Sequence, residues 1–169
     1  IEEVWERMDV NGNELIPLDK GDLARAVQSL VDKRVEAIAV CLLWSFRNPD
    51  HELEIKQYIS EKFPDIFVSI SCEVMPVIRE YERSVVTLVN SYVAKVIRRY
   101  LSRLESALRE GGFQSAFLVM QSTGGALSSA EALERPCQLF LSGPAGGVNG
   151  SLFLGEQLGY KDIVTMDMG

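Results

Sequence analysis

Eight consecutive residues, Ala37 to Trp44, read AIAVCLLW without a polar side chain. A run of that length carrying Ile, Val and an aromatic predicts a strand covered on both faces, the situation of a parallel sheet with helices on either side. The flanking segments follow suit. Asp19 and Asp22 open an amphipathic stretch with Leu23, Val27, Leu30 and Val31 on one face, a helix with an acidic start. After the apolar run, Asn48-Pro49 supplies an N-cap and a first-turn proline for a helix carrying Leu53, Ile55, Ile59 and Phe63.

Phe67 to Cys72 alternates, with Val68, Ile70 and Cys72 opposite Ser69 and Ser71, which predicts a half-buried strand near a sheet edge. Ile78 to Glu110 then reads as a helix closed by Gly111-Gly112, with one row of Tyr81, Val85, Leu88 and Tyr92 and a second of Val89, Val93, Val96 and Tyr100. Such a helix runs roughly 50 Å, long enough that a break near Tyr81 to Ser84 is expected. A third buried strand is expected at Ala116 to Gln121, a short helix at Ser128 to Leu133, a further helix at Ser151 to Leu158, and a fourth strand at Asp162 to Met166. This alternation predicts an α/β layer architecture with a mostly parallel sheet and flanking helices.

Composition narrows the classes. With 169 residues, 47% hydrophobic, the chain holds one substantial core or one domain and part of another. The net charge of −7 argues against a nucleic-acid surface, which needs a basic stripe. No apolar run approaches the ~20 residues of a membrane span, so a soluble, cytoplasmic chain is expected. Cys41, Cys72 and Cys137 are odd in number and far apart; Cys41 and Cys72 read as small core residues. His51, the single histidine, stands among Asn48, Asp50 and Glu52 and reads as a solvated helix-start residue, which leaves no zinc site. A chain starting at Ile1 and stopping at Asp167-Met168-Gly169, directly after an apolar run, is expected to be a segment of a longer protein.

Four positions invite chemistry. The stretch LSGPAGGVNGS, residues 141–151, lacks the Gly-Lys-Ser/Thr ending of one phosphate loop and the spacing of the dinucleotide fingerprint. A generic anion site at a helix start stays open. Gly143, Gly146, Gly147 and Gly150 recur three and four apart, and this spacing favours a smooth helix face for close packing. Asp167, at the end of an apolar run and before a glycine, suits either a metal-bound phosphate or a turn cap. Ser122, Thr123, Gly124 and Gly125 form either a cleft loop or a plain polar turn. The run Arg79 to Arg83 reads more readily as a solvated helix start with ion pairs than as a charged site.

Together, VEAIAVCLLWSFRNPDHE, EVMPVIREYERSVVTLVNSYV, VMQSTGGALS, LSGPAGGVNGS and IVTMDMG resemble the hydantoinase A / 5-oxoprolinase family, in the family's order from about residue 17 onward. The resemblance implies an actin-like ATPase fold with two ribonuclease-H-like lobes. Residues 1–140 would form most of the first lobe, and 141–169 an interlobe helix and the first strand of the second. It implies ATP-dependent opening of a cyclic amide by phosphoryl transfer, with ATP and Mg2+ as cofactors and a hydantoinase B-type second subunit or domain. Asp167 would sit near the metal through water. Gly169, Gly143, Gly146 and Gly147 would be cofactor-contacting or interlobe positions, and Ser122 to Gly125 would lie near substrate. One phosphate turn and most of the other are absent, so the segment alone is expected not to hydrolyse ATP. A ketone carboxylase subunit and a non-catalytic scaffold or regulator of the same fold are the alternatives.

Overall fold

The computed structural model describes residues 1–168 as a mixed α/β chain that divides into two units, Ile1–Lys95 and the remainder from Val96 onward. The first unit opens with a hairpin of β1 (Arg7–Met8) and β2 (Glu14–Ile16). Asp9 holds its turn by accepting from the amides of Asn11 and Asn13, and Gly12 adopts φ +87°. Helix α1 (Lys20–Asp32) starts where expected, with the Asp19 carboxylate accepting from Asp22 N at 2.8 Å.

Strand β3 (Ala37–Val40) pairs in parallel with β4 (Phe67–Ile70), and α2 (Asp50–Lys62) is the crossover between them. Leu23, Val27, Ile38, Val40, Ile55, Ile59, Val68 and Ile70 form the core, none more than 8% exposed. Each such burial contributes about 1.5–3 kcal/mol. This parallel pair fits the expected βαβ arrangement, but the sheet is not mostly parallel. Three two-stranded sheets are present among the described residues, and the other two are antiparallel.

Four strand expectations are corrected, three of them here and the one at Ala116 to Gln121 with the second unit. The apolar run leaves the ladder at Val40, because the Leu42 amide donates to the Glu52 carboxylate and the backbone then turns, with Trp44 at φ +63°. The expected strand at Phe67 to Cys72 ends at Ile70 and is not half-buried: Val68, Ser69 and Ile70 are 8%, 3% and 0% exposed, so both faces of β4 are covered. Asp162 to Met166 is irregular, with Val164 and Met166 about as exposed as free side chains and no ladder partner among the described residues.

A short α3 (Ser71–Val74) precedes α4 (Glu80–Glu110), which spans the division between the units. The expected break is not inside α4 but just ahead of it, at Arg79 with φ +86°. The face α4 buries in the first unit is polar: Arg83, Thr87, Asn90 and Ser91, with Ala94. The row of Tyr81, Val85, Leu88 and Tyr92 is exposed throughout, and in the second row Val96 and Tyr100 are exposed as well.

In the second unit β5 (Leu118–Met120) and β6 (Ala126–Ser128) make an antiparallel hairpin, so the expected third strand is neither long nor buried, Leu118 being 59% exposed. Ser128 and Glu131 form a capping box that starts α5 (Ser129–Glu134). A 3-10 turn, Pro136–Leu139, leads into α6 (Ser142–Gln157), one continuous helix that contains all four glycines of the 141–151 stretch.

Candidate functional site

The carboxyl ends of parallel strands are where an open α/β layer gathers ligands. Beyond the ends of β3 and β4 the first unit collects a buried polar seam. Glu52, on α2 and fully buried, accepts from Leu42 N at 2.8 Å, Ser71 Oγ at 2.6 Å and Cys72 N at 2.8 Å. Ser45 Oγ lies 3.1 Å from Ser71 Oγ and donates to Leu42 O at 3.1 Å. Three donors converging on one carboxylate fix two chain crossings at a single point, which a charged group can do in the interior only when so paired. Burial first, then the adjacent Glu52 charge, pushes the Cys72 thiol up to about 12, so it is no nucleophile at neutral pH.

Arg83 enters this seam from the first turn of α4. It is 1% exposed, and its Nη2 donates to Leu42 O at 2.6 Å. Its guanidinium carbon lies 5.3 Å from the Phe46 ring centroid, and Phe46 in turn lies 5.6 Å from Trp44. Nε and Nη1 of Arg83 have no hydrogen-bond partner among the described residues. A cavity of about 220 Å³ adjoins it, lined also by Arg7, Leu43, Trp44, Phe46, Ile78 and Glu80. The expected solvated helix start is therefore half right. Arg79 and Glu82 form an exposed i,i+3 pair at 3.7 Å, whereas Arg83 is an interior residue.

His51 also corrects its expectation. It is 4% exposed, with Nδ1 2.8 Å from Glu6 Oε2 and Nε2 2.9 Å from Glu14 Oε2, and so ties α2 to the β1–β2 hairpin. The sequence reading missed the hairpin; the signal that could have found it is Asn11-Gly12, a turn dipeptide. Nothing local in the sequence marks Glu52, His51 or Arg83 as interior, because their partners lie 10 to 45 positions away.

The glycine-rich candidates and Asp167 lie in the second unit. Ser122, Thr123, Gly124 and Gly125 form the β5–β6 turn, closed by Gln121 N donating to Gly125 O at 2.9 Å. Ser122 donates from N and Oγ to Gln138 O, at 2.7 and 2.5 Å. Gly124 has φ +87°, and a Cβ there would stand 2.7 Å from Asn149 Nδ2, which itself donates to Gly124 O at 2.6 Å. The two glycine-rich motifs are thus joined, with Gly146 resting against Met120.

Gly146 and Gly147 lie inside α6, where backbone N–H groups are spent on the helix ladder and cannot cradle a phosphate. Gly143, Gly147 and Gly150 have nothing within 4 Å of an added Cβ, so their smooth face is uncovered among the described residues. Asp167 is an exposed coil residue. Gly169 lies outside the described residues. No group of three or more His, Cys, Asp or Glu is placed to hold a metal ion among the described residues. No helix among them is long and apolar enough to cross a membrane.

Comparison with known proteins places this arrangement. Residues 1–63 match the hydantoinase/oxoprolinase N-terminal region, and residues 83–169 match the hydantoinase/oxoprolinase domain. Caprolactamase subunit alpha of Pseudomonas jessenii is 34% identical over 163 residues, 96% of this chain and 23% of its own length. Acetone carboxylase beta subunit of Xanthobacter autotrophicus is 36% identical over 171 residues, 98% of this chain and 23% of its own. The crystal structure of the ATP-dependent caprolactamase of P. jessenii superposes with a TM-score of 0.87 at 34% identity, over 98% of this chain and 24% of that one. The chain thus spans about a quarter of the length of the relatives it matches. Both family models and this superposition agree that the chain belongs to the hydantoinase/oxoprolinase family.

Proposed function

We infer that this chain is part of an ATP-dependent cyclic-amide hydrolase of actin-like fold, with residues 1–140 in its first lobe and 141–169 leading into its second. The observation that supports this reading is the superposition on an ATP-dependent caprolactamase across 98% of the chain. ATP would supply a phosphoryl group to the amide oxygen, which makes the ring carbonyl open to water. The protein's contribution to such a reaction is positioning and charge neutralisation. In this reading the β5–β6 turn, Ser122 to Gly125, faces the substrate. The bare face of Gly143, Gly147 and Gly150 lets another backbone approach α6 closely when the lobes meet. A hydantoinase B-type subunit completes the enzyme, in keeping with relatives that are themselves named as subunits.

Magnesium fares differently. The described residues bring together no group of three or more His, Cys, Asp or Glu placed to hold a metal ion, so they do not by themselves make a metal site. Calorimetric titration of the 169-residue chain with ATP and Mg2+ is expected to show no tight binding. Tight, magnesium-dependent binding would overturn the view that this segment carries too little of the phosphate machinery.

A second reading, a ketone carboxylase subunit, draws on the 36% identity to acetone carboxylase beta subunit. Assay of the whole enzyme separates the two. ATP hydrolysis stimulated by lactams or hydantoins, with ring-opened product, supports the hydrolase. Stimulation by acetone and bicarbonate, with carboxylated product, supports the carboxylase.

A further inference from the structure

Strand β3 is paired along one edge and open along the other. Phe67 N donates to Glu36 O, so in this parallel ladder Ile38 and Val40 also turn their backbone groups toward β4. The N–H and C=O groups of Ala37 and Ala39 point the opposite way, where no strand pairs with β3 among the described residues. The face shared by Ala37, Ala39 and Ser69 is covered unequally. Helix α4 reaches β4, where Asn90 Nδ2 donates to Ser69 Oγ at 2.9 Å and Ser69 is 3% exposed. Ala39, the register partner of Ser69, is nevertheless exposed. A groove of about 370 Å³ lies there, lined by Ala37 and Ala39 on the strand and by Leu88 and Tyr92 on the helix, the last two 63% and 84% exposed.

The shape of this site selects its occupant. Parallel strands occur almost only in sheets covered on both faces, and three or more strands are needed for a sheet to stand alone. Open backbone groups beside exposed apolar side chains suit an added strand, whose main chain bonds the edge while alternate side chains fill the groove. A docked helix would cover Leu88 and Tyr92 but leave the edge groups unmet. The charged residues of the lining, Glu36 and Lys95, pair with each other, so the groove does not call for a charged ligand. A second copy of the chain is the poorer occupant, because β3 has four residues and a stable interface buries about 1,200–2,000 Å². A strand tethered in the same polypeptide needs no such area, since tethering makes its docking intramolecular. The relatives leave ample room for one, because this chain matches only 23% of caprolactamase subunit alpha. We propose that the free edge of β3 and the groove beside it receive an extended strand from the rest of the enzyme polypeptide, its backbone bonding Ala37 and Ala39 and its apolar side chains lying against Leu88 and Tyr92. This rests on the reading that the chain is one part of a longer enzyme, and on no particular reaction.

The test is residue-resolved amide hydrogen exchange on the 169-residue chain and on the whole enzyme polypeptide, each without any partner subunit. In the 169-residue chain the Ala39 amide is expected to exchange roughly 100-fold faster than that of Val40, which lies in the ladder; in the whole polypeptide the two should agree within about tenfold. Tyr92→Lys in the whole polypeptide should speed Ala39 by roughly tenfold and leave Val40 unchanged, a comparison that needs no folded segment. Equal Ala39 exchange in the two chains would overturn the proposal, whether fast, with the edge still open, or slow, with the edge already closed. Protection in the 169-residue chain that grows with its concentration would replace the strand by a second copy. Protection that appears only on adding a hydantoinase B-type subunit would replace it by that subunit. Loss of Tyr92 labelling with Ala39 still fast would replace it by a helix, and an unchanged Ala39 in Tyr92→Lys would remove the groove from the site. A protected Ala39 in an enzyme that does not use ATP would keep this inference and sink the functional reading; an unprotected Ala39 in an ATP-dependent lactam hydrolase would do the reverse.

Discussion

Ile59 on α2 and Leu154 on α6 are both aliphatic residues near the carboxyl ends of helices, yet Ile59 is 0% exposed and Leu154 is 58% exposed. The contrast runs through the two units. In the first, a β–α–β crossover gives the apolar side chains of its core neighbours from another layer, and even Glu52 and His51 are enclosed by partners. In the second, Phe140, Leu141, Phe153 and Leu158 are all at least 60% exposed, and the two-stranded hairpin covers little of α6. Apolar patterning states only that a residue can be buried. Whether it is depends on a second layer, and the described residues supply one for the first unit alone.

The sharpest way to break this contrast is to attack the seam rather than the apolar core. Glu52→Ala strips the acceptor from Leu42 N, Ser71 Oγ and Cys72 N together. At about 1–3 kcal/mol for each unmet buried donor, the loss is expected to exceed ~3 kcal/mol in urea unfolding, enough to unfold a marginal domain. A loss below ~1 kcal/mol would mean that the seam is dispensable. Next in size, Ile59→Ala should cost about 2–5 kcal/mol, while Leu154→Ala should stay within about 0.5 kcal/mol. Equal costs at the two positions would erase the distinction between the units.

These two residues also show how much was legible in the sequence. Periodicity located α1, α2, α4, α5 and the carboxyl-terminal half of α6, because helix spacing and a cap such as Asp19 are local properties. It overestimated strands. Cys41 to Trp44 and Asp162 to Met166 are apolar enough for a ladder, but the first is diverted by Glu52 and the second has no neighbour among the described residues. Of the candidate site, the glycine turn at 122–125 was legible from residue types that tolerate φ > 0, whereas its link to α6 through Asn149 was not, since that contact spans 25 positions. Glu52 and Arg83 were invisible, since charge at a helix start reads as solvated until the opposing loop is known.

Smaller effects probe the uncovered face of α6. Gly147 has open space around it, so Gly147→Ala should stabilise the 169-residue chain by about 0.5–1 kcal/mol through helix propensity alone. Gly155→Ala should not, because the new methyl meets the Ile163 side chain. In the whole enzyme the order should turn over at Gly147: Gly147→Leu should impair turnover while leaving the fold intact if another backbone packs there. Stability gain in the segment with normal turnover in the enzyme would leave the glycines as mere helix residues.

The smallest effect lies at the amino-terminal edge of the first unit. Hydrogen bonds from Lys33 first, then Ser29, with a contribution from Arg25, hold the Glu2 carboxyl down to about 2, below the usual carboxylate range. A carboxyl depressed in the folded state stabilises the fold at any pH above its unfolded value near 4.5. That stabilisation is lost as pH falls from there through about 2, since protonation then removes the acceptor charge in both states. Glu2 joins only surface residues, so the effect should be small and weakened by salt. Melting temperatures of the parent and Glu2→Gln should therefore differ slightly at pH 6 and converge by about pH 2. A gap that stays constant across that range would show that Glu2 acts through packing, and would place the edge of the first unit with its core rather than with its solvent-facing charges.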